Sequence, residues 1–281
     1  MAFSIGWFTT HIGSRCGAIQ CARTECNRGK EQVNLSQLNH ALMRIAIVSD
    51  IHDNLTAFQA VLADLRETSP DLVLHGGDLV SGGSSPAEVV DRVRDLGWRS
   101  VFGNTDEAIA RPETLEEFAT QSPAPRSLWD AVREMTAFTR HALGEERIEW
   151  LGALPRVVVH PPVVLVHASP ASSWRSPIAD ATNAELEATY LPLGQAIAVY
   201  GHIHQPFVRD VAEFTVINTG SVSQSFDGDP RASYLLIDNG TPTIRRVEYD
   251  IEREINAITA SGLPHADWMA RTLCAARPQM P

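Results

Sequence analysis

The chain has 281 residues, 44% of them hydrophobic, and carries a formal net charge of −11 at pH 7. This length is sufficient to bury a large core. The acidic balance, with no run of basic residues longer than two, argues against electrostatic binding to long nucleic acids and leaves a small anionic substrate as the compatible partner.

The first 42 residues differ in composition from the rest of the chain. They contain three of the four cysteines and show no sustained hydrophobic period, whereas Met43 directly precedes the first strand pattern. We interpret residues 1–42 as an N-terminal extension, either disordered or the product of a misassigned start site. The chain has neither a signal peptide pattern nor an apolar stretch of membrane-helix length, so we expect a cytoplasmic protein without membrane contact.

The first strand pattern ends in a pair of polar residues. Residues 44–49 form a short, mostly apolar run rich in β-branched side chains, a helical pattern follows, and Asp50 and His52 lie between the two. Because alternate residues of an extended chain point the same way, we expect the carboxylate and the imidazole to lie side by side. The pair alone is weak evidence for a site, since polar residues are ordinary at strand exits.

The next two strand patterns also end in polar residues, each preceded by glycine. Residues 72–75 lead into Asp78, and residues 100–102 lead into Asn104. Glycine lets the backbone and a metal ion approach each other closely. Because strand exits of an α/β sheet meet at one crevice, these side chains are predicted to converge with the first pair.

The segment after the third strand exit is predicted to be helical, at residues 112–121, 127–143 and 145–151. These helices could roof a cleft at the strand exits. Their apolar residues, including Val132 and Met135, recur at helical spacing. We therefore interpret those residues as core and assign the segment no chemistry.

Two later strand patterns end in histidines. Residues 163–166 end at His167, and residues 196–200 lead into His202 and His204, again an alternating pair. Imidazole together with carboxylate suits zinc, manganese, iron or nickel, whereas magnesium and calcium sites are built almost wholly from oxygen ligands. The strand exits together predict a transition-metal site.

The loop that follows His167 contains Trp174 and Arg175. An aromatic ring beside a cation could hold a base and a phosphate, which makes Arg175 the candidate substrate-binding residue. The alternative is an exposed loop without a binding role.

The chain closes with two strand patterns, at residues 234–237 and 243–247, joined by an Asp-Asn-Gly turn. Residues 251–281 are predicted to be a C-terminal helical appendage. Early βα units followed by a strand-rich half predict two sheets packed face to face with helices outside. No linker divides residues 43–250, so we expect one domain there.

In this order the motifs D-x-H, G-D, G-N-x-D, H and G-H-x-H resemble those of the calcineurin-like metallophosphoesterase superfamily, in its small bacterial and archaeal phosphodiesterase branch. The resemblance implies a four-layer α/β-β/α sandwich with two packed mixed sheets over residues 43–250. It also implies two divalent ions, for which manganese, iron, zinc and nickel are the candidates. The implied ligands are Asp50, His52, Asp78 and His204 for one ion, and Asp78, Asn104, His167 and His202 for the other.

The same resemblance implies a phosphohydrolase, favouring a phosphodiesterase that acts on small phosphate esters or nucleotides through metal-bound hydroxide. Many members have a histidine after the asparagine of the third motif, where this chain has Thr105. Asn104 and Asp106 are the candidate catalytic residues. Asp106 is either the acid that protonates the leaving group or a carboxylate that holds a backbone turn. We expect a preference for activated or nucleotide-like diesters.

Two other functions stay open. One relative with the same third motif, a subunit of the retromer coat, acts chiefly as a protein-binding scaffold, although retention of the ligand histidines His52, His167, His202 and His204 in this chain favours an enzyme. A phosphomonoesterase or protein phosphatase is the other alternative, and the missing histidine disfavours it because a serine alkoxide leaves only when protonated. The sequence is also compatible with a homo-oligomer.

Overall fold

The computed structural model describes residues 43–281, whose strands form two five-stranded sheets. The N-terminal extension predicted at residues 1–42 lies outside the described residues. The strands are β1 Ile45–Val48, β2 Leu72–His75, β3 Arg99–Ser100, β4 Val157–His160, β5 Val163–Val166, β6 Ile197–Tyr200, β7 Phe207–Val211, β8 Phe214–Asn218, β9 Ala232–Asp238 and β10 Thr241–Val247.

Both sheets are mixed, as the resemblance implied. The first has the order β10-β9-β1-β2-β3, with β1 parallel to β2 and antiparallel to β9. The second has the order β4-β5-β6-β8-β7, with β5, β6 and β8 parallel. The predicted C-terminal hairpin, β9 and β10, therefore joins the sheet that contains β1. Local sequence patterns do not reveal this long-range pairing.

Helices surround the sheets and fill the segment between β3 and β4. The helices predicted in that segment are confirmed to within one residue at each end. The α-helices of residues 43–281 are α1 Leu55–Thr68, α2 Pro86–Leu96, α3 Asn104–Ala110, α4 Pro112–Gln121, α5 Arg126–Leu143, α6 Glu145–Gly152, α7 Asn183–Tyr190, α8 Ile251–Ser261 and α9 Ala266–Ala275.

Alternate residues of β1 belong to different layers of the core. Ala46 and Val48 pack in the cluster that contains Phe58 of α1, whereas Ile45 and Ile47 belong to the cluster between the two sheets. The second sheet is covered on its other face by α7. Strands buried on both faces read as continuous apolar runs, which is the pattern in the sequence. The four-layer sandwich is therefore confirmed.

The C-terminal residues predicted as an appendage are helical and pack on the domain. Met135 of α5, Ile258 of α8 and Met269 of α9 share one buried cluster. The carboxylate of Glu254, also buried, accepts a hydrogen bond from the Ser84 backbone N–H at 3.2 Å. Within residues 43–281, no helix combines the length and the apolar character needed to cross a membrane.

Candidate metal centre

The strand exits of the two sheets meet at one edge of the sandwich. Gly201, which follows β6, lies so close to Asp50, which follows β1, that a Cβ at position 201 would be 2.3 Å from the Asp50 carboxylate. The His202 N–H donates to the same carboxylate at 3.2 Å. Within the first sheet, the Asp50 N–H donates to the Gly77 carbonyl at 2.9 Å. These contacts bring the motifs of both sheets together.

One group of predicted ligands forms a compact buried cluster. The ligand atoms of Asp50, His52, Asp78 and His204 all lie within 4.8 Å of one another, and each residue is at most 5% exposed. His204 Nε2 is 3.2 Å from Asp50 Oδ1, and His52 Nε2 is 3.6 Å from Asp78 Oδ2. Carboxylate and imidazole donors at this spacing can hold a transition-metal ion.

The remaining predicted ligands gather around Asn104. Its side-chain oxygen lies 3.0 Å from His167 Nε2 and 2.8 Å from His202 Nδ1. His167 Nε2 is also 3.5 Å from Asp78 Oδ1, the carboxylate oxygen opposite the one nearest His52. Asp78 therefore lies between the two groups of ligands.

Backbone carbonyls fix which nitrogen three of the imidazoles turn toward the centre. The Nδ1 atoms of His52, His167 and His204 lie 2.8 to 2.9 Å from the carbonyl oxygens of Ser81, Gly76 and Gln224. A carbonyl only accepts hydrogen bonds, so each Nδ1 carries a proton and donates. Each Nε2 is then left to bind an ion, the arrangement common among metal-ligating histidines.

The contact between His52 and His204 tests whether this donor set fits a cation. Their Nε2 atoms are 3.2 Å apart. With both Nδ1 atoms protonated, two neutral imidazoles would direct lone pairs at each other beside the carboxylate of Asp50. A divalent cation would satisfy these donors together, so the residues fit a metal ion.

The charged groups of the centre shift one another's pKa values. Burial opposes ionisation of Asp78, but the imidazoles of His167, His52 and His202 hold its pKa below the usual value. Burial lowers the pKa of His167, yet Asp78 more than compensates and raises it to about 9. Burial and the nearby His167 lower the pKa of His202 to about 4. An ionised Asp78 in this interior thus depends on neighbouring positive charge, which bound cations also supply.

The backbone is left-handed at five of the seven predicted ligands, so the reasoning from alternation along an extended chain is wrong. β1 ends at Val48 and β6 ends at Tyr200, before the ligand pairs begin. Non-glycine residues rarely adopt positive φ, and such strain concentrates at functional sites. The ligands with φ between 49° and 66° are Asp50, His52, Asp78, His202 and His204.

Asp106, the candidate acid, is fully buried and hydrogen-bonded to backbone on both carboxylate oxygens. Oδ2 accepts from the N–H groups of Asp78 at 2.8 Å and Gly103 at 2.9 Å, and Oδ1 accepts from Leu79 at 3.0 Å. Burial and the adjacent Asp78 raise the pKa of Asp106 to about 7. Its contacts are those of the turn-holding alternative.

Helix α3 links the third motif to the loop after β5. The Thr105 hydroxyl donates to the Val80 carbonyl at 2.8 Å. Glu107, two residues further along, is buried and accepts hydrogen bonds from the Ser173 hydroxyl and from the Trp174 indole N–H, the latter at 3.2 Å. The helix that begins at Asn104 therefore also positions Trp174.

Arg175 lies beside this loop but is not among the residues that line the cavity next to the ligands. Its guanidinium lies 5.1 Å from the centre of the Phe118 ring and donates to the Gln121 side chain at 3.0 Å. Arg175 thus braces α4 against the loop, and its predicted contact with substrate stays a prediction.

The family model for the calcineurin-like phosphoesterase superfamily domain matches residues 43–241. The chain belongs to this superfamily. Among curated relatives, it is 31% identical over 252 residues to the uncharacterized protein MJ0912 of Methanocaldococcus jannaschii, covering 82% of this chain and 96% of that protein. It is 23% identical over 208 residues to the phosphodiesterase YfcE of Escherichia coli, covering 70% of this chain and 89% of YfcE.

A metallophosphoesterase structure from Sphaerobacter thermophilus superposes with a TM-score of 0.68 at 28% identity, covering 83% of this chain and 99% of that one. These similarities agree with the small bacterial and archaeal branch of the superfamily that the motifs indicated. They leave the substrate open.

In this superfamily member, a cavity of about 300 Å³ adjoins the candidate metal centre. His52, Asn104 and His202 of the centre line it. Four aromatic side chains also line it, from α4, α5, the loop after β5 and α9: Phe118, Trp129, Trp174 and Trp268.

Sequence reasoning missed this cavity. Val132 and Met135 of α5, to which we assigned no chemistry, line it together with Trp129. Their spacing of three residues marks one face of a helix, but periodicity cannot distinguish a face that meets the core from one that meets a cavity. The contribution of Trp268 depends on how the predicted C-terminal helices pack against α5, which no local sequence pattern indicates.

Proposed function

We propose that this protein is a phosphodiesterase that binds two divalent metal ions and hydrolyses small phosphate esters or nucleotides. The observation that carries the proposal is the position of Asp78. Its two carboxylate oxygens face different ligand groups, Oδ2 toward His52 and Oδ1 toward His167. A carboxylate shared between two ligand groups is the feature that a dinuclear centre needs.

The proposed ligand sets are those implied by the motifs. When bound, such ions supply a nucleophilic water at neutral pH and neutralise charge on the phosphate oxygens. The protein's own part is orientation, because the carbonyls of Ser81, Gly76 and Gln224 hold three imidazoles with Nε2 toward the centre. The mixture of nitrogen and oxygen donors suits manganese, iron, zinc or nickel.

The third motif supports a diester rather than a serine phosphate as substrate. The Thr105 hydroxyl donates a hydrogen bond to the Val80 carbonyl, and both carboxylate oxygens of Asp106 accept hydrogen bonds from backbone N–H groups. Neither side chain therefore offers a proton to a departing alkoxide. Substrates whose leaving group is stable as an anion need no such proton, which favours activated or nucleotide-like diesters.

We further propose a small-molecule substrate and a cytoplasmic location. The formal net charge of −11 supports the first, because binding to long nucleic acids requires clustered positive charge. Retention of the ligand histidines supports an enzyme over a protein-binding scaffold, since His52 and His204 converge with Asp50 and Asp78 in a cluster that could hold a metal ion.

The test is manganese-dependent hydrolysis of bis-p-nitrophenyl phosphate against p-nitrophenyl phosphate. The purified protein, its Asp78→Ala variant and an Asp180→Ala control with an exposed carboxylate are assayed in parallel. We expect faster cleavage of the diester, lost in Asp78→Ala and kept in Asp180→Ala. Metal content by mass spectrometry should fall from about two ions per chain in Asp78→Ala only.

Each other outcome has a definite meaning. Faster cleavage of the monoester would make the protein a phosphomonoesterase. If metal is bound but neither ester is hydrolysed, the protein would be a protein-binding scaffold rather than an enzyme.

A further inference from the structure

We propose that the cavity beside the metal centre binds a flat, uncharged aromatic substituent of the phosphate ester and thereby selects the substrate. This inference rests on the proposed phosphodiesterase function, because the phosphate would lie on the metal ligands that share the cavity wall. It assigns a binding role to Phe118, Trp129, Trp174 and Trp268, which lie on four separate segments.

The arrangement of the rings supports an aromatic occupant. Phe118 stacks on Trp174 with ring centres 4.8 Å apart at 28°, and meets Trp129 edge-on at 5.7 Å and 78°. Rings fixed at such angles present both faces and edges to a neighbour, the two geometries that aromatic pairs prefer. A flexible alkyl chain would gain burial there but no stacking.

The chemistry of the lining disfavours a second charged group in the occupant. Among the described residues that line the cavity, none is Asp, Glu, Lys or Arg. Val132, Met135 and Met269 contribute apolar surface between the rings. An additional phosphate or carboxylate would be buried there without a countercharge, which is costly. The reacting phosphate would instead be bound by the metal ions that the ligands at the cavity wall hold.

The size and anchoring of the cavity suit one ring system. Its volume of about 300 Å³ is at the lower end of the range for small-molecule sites. Met135 and Met269 belong to the buried cluster that joins α5 to α8 and α9, and the Trp268 indole N–H donates to the Gln279 carbonyl at 2.9 Å. These walls are held by packing behind them, so the cavity is formed before substrate arrives.

The cavity is also built partly from residues beyond the superfamily match. The family model ends at residue 241, whereas Trp268 and Met269 lie on α9. The family model therefore covers the segments that carry Phe118, Trp129 and Trp174, but not the part of the cavity wall on α9. The C-terminal helices thus complete the cavity that would select the ester substituent.

The test measures binding without turnover. Manganese-loaded protein is titrated calorimetrically with phenylphosphonate and with methylphosphonate, which share the anionic group and differ in the ring. We expect phenylphosphonate to bind about tenfold more tightly, the scale of ring stacking on aromatic side chains. In Trp129→Leu, which keeps apolar volume and removes the indole, that advantage should fall to about threefold or less while methylphosphonate affinity is unchanged.

Two further variants control for effects of the substitution that do not involve the cavity. Trp150→Leu makes the same change at an indole outside the cavity and should keep the full preference. Phe118→Leu removes a second cavity ring and serves if Trp129→Leu does not fold, as judged by circular dichroism. Equal affinities for the two phosphonates, no binding of either, or an equal loss of both in the cavity variants would overturn the inference.

A second pair of ligands distinguishes a nucleobase from a simple aryl group as the aromatic substituent that the cavity binds. A larger gain from ribose 5-phosphate to AMP than from methylphosphonate to phenylphosphonate assigns a nucleobase, and the reverse assigns a simple aryl group. Because neither titration depends on catalysis, failure of the cavity inference is distinguishable from failure of the proposed function. The latter would appear as absent hydrolysis with the ring preference intact.

Discussion

Asp106 ties together the backbones of two motifs. Its carboxylate accepts N–H groups from Asp78 and Leu79 of the second motif and from Gly103 of the third. This side chain helps to hold the ligands Asp78 and Asn104 in place relative to each other, together with the hydrogen bond from the Thr105 N–H to Asp78 Oδ1. A buried carboxylate with three backbone donors is a strong structural element, since each N–H would otherwise be unsatisfied.

We expect Asp106→Ala to destabilise the fold by about 3 kcal/mol or more, because three buried N–H groups lose their acceptor. Urea denaturation measures the change. Metal content should fall together with stability. If Asp106 were instead the acid, Asp106→Asn would keep its stability and lose kcat selectively for esters with poor leaving groups, a result that would contradict the structural role.

Glycine is required beside Asp78 for a purely steric reason. A Cβ at Gly103 would lie 2.0 Å from Asp78 Oδ1, although the backbone of Gly103 is extended. We expect Gly103→Ala to displace the shared carboxylate and to reduce metal content and turnover at least about tenfold. Gly152→Ala is the matched control, since its Cβ would meet only the Ala110 side chain at 3.2 Å. Normal metal content in Gly103→Ala would refute this account.

At the scale of elements, α3 is the link between the metal centre and the aromatic wall. It begins at Asn104, and its Glu107 accepts from both Ser173 and Trp174. The position of Trp174, whose ring stacks on Phe118, is thus set from the same helix that carries a ligand. We expect the loss of the Glu107 contacts in this helix to weaken substrate binding while metal binding is kept.

We therefore expect Glu107→Ala to raise KM for bis-p-nitrophenyl phosphate about threefold to tenfold while metal content stays normal, because about 1 kcal/mol of ordering is lost from the loop. Chymotrypsin should cleave after Trp174 more rapidly in this variant. Glu113→Ala, with an exposed carboxylate on α4, is the control. Unchanged KM and cleavage rate would show that the loop is held by other contacts.

Elements with local signals were predictable, and conformations set by tertiary contacts were not. The helix at residues 112–121 begins at a proline and has the bounds that the sequence indicated. The alternation argument failed at Asp50 and His204 because their left-handed backbone is imposed by neighbours, as in the Asp50 N–H bond to Gly77. The predicted ligands did not depend on this argument, because motif order, rather than local geometry, carried them.

At the scale of the whole molecule, the sandwich was predictable, but the pairing of its C-terminal strands with β1 was not. Buried strands such as β1 and β5 read directly as apolar runs. The pairing of β9 with β1 joins residues almost two hundred positions apart, as in Ile45 with Ile237. No local pattern specifies such a contact, and the same holds for α9 and the cavity wall that it completes.

The metal centre should also contribute to global stability. Asp50 and Asp78 are buried on segments that follow β1 and β2, and their partners follow β5 and β6 of the other sheet. An ion that binds only the folded state adds about 2.7 kcal/mol at a concentration one hundred times its Kd. Bound ions would therefore join the two sheets at the edge where the motifs meet.

We expect removal of metal by a chelator to lower Tm by about 5 to 10 °C, the shift that this free energy produces in a domain of comparable size. Manganese should restore the original value. Scanning calorimetry of the wild type and of Asp78→Ala tests the assignment, because the variant without the shared carboxylate should melt at one temperature with or without manganese. A wild type whose Tm ignores both chelator and manganese would show that the folded protein binds no ion at these ligands, whereas a response confined to the wild type would locate the ions at Asp78.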